Sequence, residues 1–286
     1  MHVRKTIIGI AAALAVIPAG SALAATIEGG PLGEHLRGTR VADHIDGNGG
    51  NDRIFGLGGD DQLNGGAGND RVFGGRGNDT IHGVQGNDWL NGGAGDDIVV
   101  GDANGTGDLT SFDRIFGGSG NDTLNGGDSA DRISGGPGND TSNGENGNDR
   151  MNGGTGDDVQ HGGAGNDTIF ANVGQDTSYG DDGNDTLWAL ARSDVHPGAN
   201  GVDPIGDTLD GGAGDDTFRT RDGEVDHITC GDGNDTALLD QFDVITDATP
   251  SNANGSCERV VRKAPRPKDS RTEDAQQAPK DARVQS

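Results

Sequence analysis

The chain has 286 residues, 55 of them Gly, and a formal net charge of −26 at neutral pH. Hydrophobic residues make up 30% and aromatics 3%, against the ~45–50% apolar content usual for globular domains, which excludes an enzyme built on a thick two-layer core. The charge argues against a nucleic-acid partner, because phosphate binding needs Lys and Arg. Only six of the 47 acids are Glu; Asp in company with Gly and Asn points to turns and to oxygen ligands for a hard cation, not to a Glu-rich disordered chain.

Residues 1–24 read as a secretory signal peptide. His2-Val3-Arg4-Lys5 is basic, Ile7 to Ile17 carries no charge, and Ala22-Leu23-Ala24 places small residues at the cleavage positions. The apolar run falls well short of the ~20 residues that cross a bilayer, so no membrane span is expected. The mature chain is expected to begin at Ala25 and to lie outside the cytoplasm, where disulfides are permitted. Residues 25–42 read as an N-terminal cap segment.

From Asp43 the chain repeats every nine residues. Asp43, Asp52, Asp61, Asp70, Asp79, Asp88 and Asp97 form one run; Asp113, Asp122, Asp131, Asp140, Asp149, Asp158, Asp167, Asp176 and Asp185 form a second; Asp207, Asp216, Asp226 and Asp235 follow. Gly usually stands two residues before the Asp (Gly59, Gly68, Gly77) and an aliphatic two residues after it (Leu63, Val72, Ile81). The breaks in the count place loop insertions near 101–111 and 189–205. The segment Gly65-Gly66-Ala67-Gly68-Asn69-Asp70-Arg71-Val72-Phe73 shows the whole unit. It resembles the nonapeptide of the RTX, or hemolysin-type, calcium-binding repeat family, and the resemblance spans roughly Asp43 to Ile245.

The unit itself suits a solenoid. One apolar residue between two outward positions makes a short strand of about three residues, and the other positions are turn-formers. Two units make one coil, and coils stack at ~4.8 Å as two parallel sheets with the aliphatics between them. The expected fold is all-β: a right-handed parallel β-roll (a β-helix solenoid) of nine-residue repeats, two per coil, over residues 43–245. About ten coils would give a rod of roughly 45–50 Å. One buried aliphatic gains only roughly 1.5–3 kcal/mol, while ordering nine backbone residues costs roughly 1–2 kcal/mol each. Stacking also sets carboxylates against one another, so the fold needs counter-ions. The resemblance implies several calcium ions, each between a turn and the one 18 residues on. The implied ligands are Asp52, Asp61, Asp70, Asp79, Asp88, Asp97, Asp122, Asp140, Asp149, Asp158, Asp167, Asp176, Asp185, Asp216 and Asp235. The turns before Asp113, Asp131 and Asp207 lack the glycine pattern and Asp226 follows Glu224, so ion sites are doubtful at those four.

Inside the roll, the inward positions of three alternate units are Ser142, Gln160 and Ser178. This predicts a weak stretch around 140–180, where one wall of the core is polar. Cys230 and Cys257 are the only cysteines and in a secreted chain most simply pair with each other; the alternative is two free thiols. His82 and His161 fall at outward positions. Residues 246–261 read as a C-terminal capping segment and 262–286 as a disordered tail.

No G-x-S-x-G or H-E-x-x-H motif is present, and no enzyme is expected. The leading expectation is a secreted calcium-binding protein, a monomer, with a structural or extracellular interaction role. The alternative is a module that binds a glycan, an acidic partner or ice on one outer face of the roll. If the insertions preserve alternation, one sheet displays Arg53, Arg71, Arg114, Arg132 and Arg150 beside Phe55, Phe73, Phe116, Phe170 and Trp188. The other displays Thr80, Thr123, Thr141 and Thr177 with Asn64, Asn125 and Asn143. The plainer reading of both faces is a cross-strand ladder of residues that suit a sheet surface.

Overall fold

In a computed structural model of the chain, the described residues are 6–8, 23–102, 111–189 and 206–264. Among them there are strands and turns and no helix. The strands form two sheets, one of 13 and one of 12; from Thr26–Glu28 onward alternate strands go to opposite sheets, and neighbours within a sheet are two apart in the sequence. The strands run parallel with an 18-residue register, as in Leu63 beside Ile81 and Val72 beside Leu90. This is the expected parallel β-roll.

Alternation survives both insertions. Ile98 pairs with Thr123 and Thr177 with Thr208, so the pairing after each insertion resumes in the same sheet and phase. The insertions themselves, 103–110 and 190–205, lie outside the described residues, as does the tail beyond Ala264. In mid-roll the strands are six residues long, longer than expected. Gln62–Ala67 buries Leu63 and then Gly65, because the glycine pair after the aliphatic continues the pairing.

The roll also begins earlier and ends later than the Asp count implies. Thr26–Glu28 pairs with His44–Asp46, and His35–Arg37 with Arg53–Phe55, so the expected N-terminal cap is itself a coil, with Ile27 and Leu36 inward. At the other end Arg259–Arg262 pairs with Thr236–Leu239. Thr6–Ile8, within the segment read as a sorting signal, is placed against Thr26–Glu28; an open parallel edge offers its hydrogen bonds to any β-former.

The aliphatics form a single file between the sheets, and that file is interrupted. One cluster runs from Ile27 to Ile169 and a second from Leu187 to Cys257. The break coincides with Ser142, Gln160 and Ser178, which are buried and stack on one another. Cys230 and Cys257 form the expected disulfide, with Cα atoms 5.2 Å apart. The adjacent Ser256 Oγ accepts the amides of Cys230 (3.0 Å) and Gly231 (3.2 Å). No helix among the described residues is long and apolar enough to cross a membrane.

Candidate metal centre

Every repeat Asp precedes a strand, and its position is set by that strand's register. The side chain turns inward at the edge of the roll, where fifteen of fifteen expected ligands are buried. Stacking brings the carboxylates within range of mutual repulsion, as the spacing suggests, and it also gives each one a partner. Each Asp amide donates to Oδ1 of the Asp one coil on, as in Asp52 to Asp70 at 2.7 Å.

Two such ladders run the length of the molecule. Along one edge the order is Glu34, Asp52, Asp70, Asp88, Asp113, Asp131, Asp149, Asp167, Asp185, Asp216, Asp235 and finally Glu258, with every step at 2.7–2.8 Å. Along the other, the Ala25 amide donates to Asp43 (2.5 Å), and Asp61, Asp79, Asp97, Asp122, Asp140, Asp158, Asp176, Asp207 and Asp226 follow at 2.7–2.9 Å. The last step, Asp226 to Asp243, stretches to 3.4 Å.

The second carboxylate oxygen has no such partner. Oδ2 is buried and accepts no hydrogen bond in all fifteen expected ligands, from Asp52 to Asp235. In thirteen of them it lies against the first glycine of its own turn, in most beside a carbonyl from the next coil; at Asp176 and Asp235 that place is taken by Ala171 and Cys230. A Cβ built on Gly65 would lie 2.5 Å from Asp70 Oδ2 and 2.9 Å from the Gly83 carbonyl oxygen. Gly56 stands in the same way to Asp61 and Gly74, and Gly162 to Asp167 and Gly180. Each glycine turn therefore brings an orphaned carboxylate oxygen and a backbone carbonyl together at a point where a Cβ on the glycine would meet them.

Burial is the main influence on these carboxyls. Loss of water pushes Asp88 and Asp131 up to about 9, Asp61, Asp97, Asp149, Asp158, Asp185 and Asp216 to about 7, and Asp52, Asp79, Asp122 and Asp167 to about 6. The ladder amide opposes this in each case, and neighbouring acids add to it in most, Asp113 and Asp70 against Asp88 among them. Asp70, Asp140 and Asp235 move upward for the same first reason, as does Asp176, with Asp207 pressing against it. Without a counter-charge the roll favours the protonated carboxyl.

A family model for the RTX calcium-binding nonapeptide repeat matches residues 28–63, 37–72, 46–81, 73–104, 110–142, 143–160, 161–187 and 206–237. The chain belongs to this family. No curated protein matches the sequence.

The RTX turns suit the family's ion. Calcium takes carboxylate and carbonyl oxygens together in flexible geometry, and those are the two donors that meet at the glycine. Of the four positions doubted from sequence, Asp131 has the full arrangement: its Oδ2 is orphaned and lies with the Gly144 carbonyl against Gly126. The physical reason is that the turn needs a left-handed residue, not a glycine, and Ser129 supplies it at φ 87°. Asp113 likewise stands on its ladder and against Gly101. Asp207 and Asp226 also belong to the ladder but lie in a different surrounding. Glu34, which begins one ladder, stands nine residues before Asp43 and keeps the phase with a different acid, whereas Glu258, which ends that ladder, falls outside the nine-residue count. A further ladder runs the opposite way just outside: the Asn69 amide donates back to Asn51 Oδ1 (2.8 Å) and Asn87 to Asn69 (2.9 Å). Its sequence signal is the Asn or Asp immediately ahead of most repeat Asp residues.

Proposed function

We propose that the protein is a secreted calcium-binding scaffold whose roll assembles as calcium enters the turns. The observation that carries this reading is the buried Oδ2 without a hydrogen bond, found at all fifteen expected ligands and set against a glycine in thirteen of them. The fifteen Asp residues, joined by Asp113 and Asp131, would hold the ions, and the carbonyls of residues such as Gly74 and Gly83 would complete them. Calcium supplies the positive charge that lets these carboxylates stay ionised while buried; metal that binds only the folded chain is linked to folding by mass action. Export through the N-terminal signal would deliver the chain to an oxidising compartment that suits the Cys230–Cys257 disulfide. We assign no catalysis, since the repeat carboxylates are committed to the ladders.

Far-UV circular dichroism during a calcium titration, reversed with chelator, tests the proposal. Metal-free protein at neutral pH should be largely unfolded and should gain β signal on calcium, with magnesium a poor substitute because it demands tight octahedral geometry. Identical spectra with and without calcium would overturn it.

A second reading, binding of an acidic extracellular ligand, is favoured by the 12-stranded face. Arg53, Arg71, Arg114 and Arg132 have no carboxylate within 4.0 Å among the described residues, in a chain of net charge −26. Three of them line a groove of about 730 Å³ with Trp89, Phe112 and the Asn51, Asn69 and Asn87 ladder. Phe55 stacks on Phe73, and Trp89 lies tilted between Phe73 and Phe116, with ring centres 4.7–5.3 Å apart along the row. A glycan array probed with calcium-loaded protein should show acidic glycans retained by the wild type and lost in Arg71→Ser/Arg114→Ser. Equal retention by the double variant would discard this reading.

A further inference from the structure

The last three turns on the edge that carries Asp176 abandon the glycine pattern. The first ends in Gly206-Asp207, the second is Arg221-Asp222-Gly223-Glu224-Val225-Asp226, and the third is Asp240-Gln241-Phe242-Asp243. Their six acids are all buried, none more than 7% exposed. Carboxylate oxygens of Asp207, Glu224 and Asp226 lie within 4.8 Å of one another. Repulsion reaches from Asp226 to Asp222 and Asp243, and from Asp222 to Asp240.

The cradle of the other turns is absent here. Thr220 occupies the place of the first glycine, is fully buried, and donates its hydroxyl to Asp243 Oδ2 at 2.7 Å. Side-chain oxygens replace the backbone carbonyl. Three of them are unanswered: Oδ2 of Asp222, Asp226 and Asp240 is buried and accepts no hydrogen bond, although the Oδ1 atoms take the amides of Glu224 (3.2 Å), Asp207 (2.9 Å) and Phe242 (2.7 Å). The neighbouring guanidiniums make their hydrogen bonds to carbonyls, although the charge of Arg221 reaches Asp240 and partly offsets its burial. Arg262 binds those of Asp240 and Asp243, both at 3.0 Å, and Arg221 that of Ala264 at 2.8 Å. Burying this many carboxylates without a cation costs several kcal/mol for each ion.

We infer that these three turns form a cation site of a second kind, in which the carboxylates of Asp207, Glu224 and Asp226, backed by Asp222 and Asp240, hold a calcium ion more tightly than the glycine cradles do. Affinity in calcium sites rises with the number of charged ligands and with rigidity. A glycine cradle offers one orphaned carboxylate oxygen, whereas this site gathers carboxylates from successive coils beside the disulfide-bonded end. The ion would be the last to leave the roll and would keep its C-terminal coils wound when the others are stripped. The inference rests on the calcium reading above.

Native mass spectrometry of the full calcium-loaded chain under graded chelator tests it. One ion should persist to about tenfold higher chelator than the rest, the scale on which ligand charge tunes such sites. Glu224→Gln should remove the persistent ion and leave the easily released set intact, while Asp70→Asn should subtract only from that set. Hydrogen exchange on wild type at the intermediate chelator concentration needs no variant: strands 208–210, 227–229 and 244–245 should stay protected while 62–94 exchanges. Release of all ions together from a roll that folds on calcium, or a persistent ion undisturbed by Glu224→Gln, would overturn the inference and leave the scaffold reading standing. A chain that shows no calcium-dependent folding would overturn both.

Discussion

Val84 adopts φ 92°, in the left-handed region that β-branched residues avoid. It stands where the second glycine of the unit belongs, a place that Gly66, Gly75 and Gly93 fill at 101°, 121° and 118°. Val84→Gly should stabilise the calcium-loaded protein by about 1 kcal/mol, the cost of a left-handed L-residue less the entropy of the new glycine. A higher urea midpoint would show this, and a lower one would mean that the valine side chain contributes more by packing than its backbone costs. The reverse change in the cradle, Gly65→Ala, should lose calcium, because its Cβ would fall 2.5 Å from Asp70 Oδ2. Equilibrium dialysis should find fewer ions bound than in wild type, and an unchanged number would detach the cradle from calcium. At this scale the sequence shows which carboxylates stack and hides what each oxygen does. A spacing of 18 residues says that Asp52 and Asp70 meet, but the group that meets Oδ1 is a backbone amide, which every residue has and no pattern marks. Asp131 was obscured for a related reason: Ser129 adopts the backbone of a glycine without being one.

At the level of strands, the interrupted core follows directly from the repeat phase. Ser142, Gln160 and Ser178 were legible as inward because the nine-residue count assigns them, and burial confirms the assignment. What the count could not convey is how far one amide reaches. With its side-chain O and N placed to suit their neighbours, Gln160 donates to the Phe170 carbonyl at 3.1 Å and accepts from the Gly153 amide at 3.0 Å, tying its strand to the opposite sheet. Ser142 Oγ, by contrast, is buried without a partner. Meanwhile the Asp ladders cross the gap unbroken, Asp158 to Asp176 at 2.8 Å and Asp167 to Asp185 at 2.7 Å. If the proposed ions sit along these ladders, they would hold the roll where the apolar file fails. As calcium is lowered, hydrogen exchange should rise around 140–180 before it rises around 52–97. Simultaneous loss in both stretches would show that the glutamine bridge compensates for the missing aliphatics.

For the molecule as a whole, the raised carboxyls give the metal-free chain an unusual dependence on pH. Folded values near 6 to 9 exceed the unfolded value of about 3.9, so the roll binds more protons than the unfolded chain throughout that interval. Its stability is then fullest below about pH 4 and is lost as pH rises through the folded values. Metal-free protein should gain β signal on acidification from pH 8 to pH 4, protons standing in for calcium. The loaded protein should instead release its ions over the same range, since ligands must be deprotonated to bind. Greater order at pH 8 than at pH 4 without metal would contradict this account. The ladders also have a direction. Each amide donates toward the carboxyl end, so a chain growing from its amino end always finishes with two unanswered N–H groups at its tip. The next coil arrives carrying the acceptors. Along these two ladders, then, every coil leaves donors that only the coil after it answers, a polarity that the outer Asn ladder carries in reverse. The two insertions barely hinder this stacking: widening the step from 18 to 31 residues adds only about 0.5 kcal/mol of closure entropy. The two ladders end at Glu258 and Asp243, acceptors that receive the last amides of the repeat.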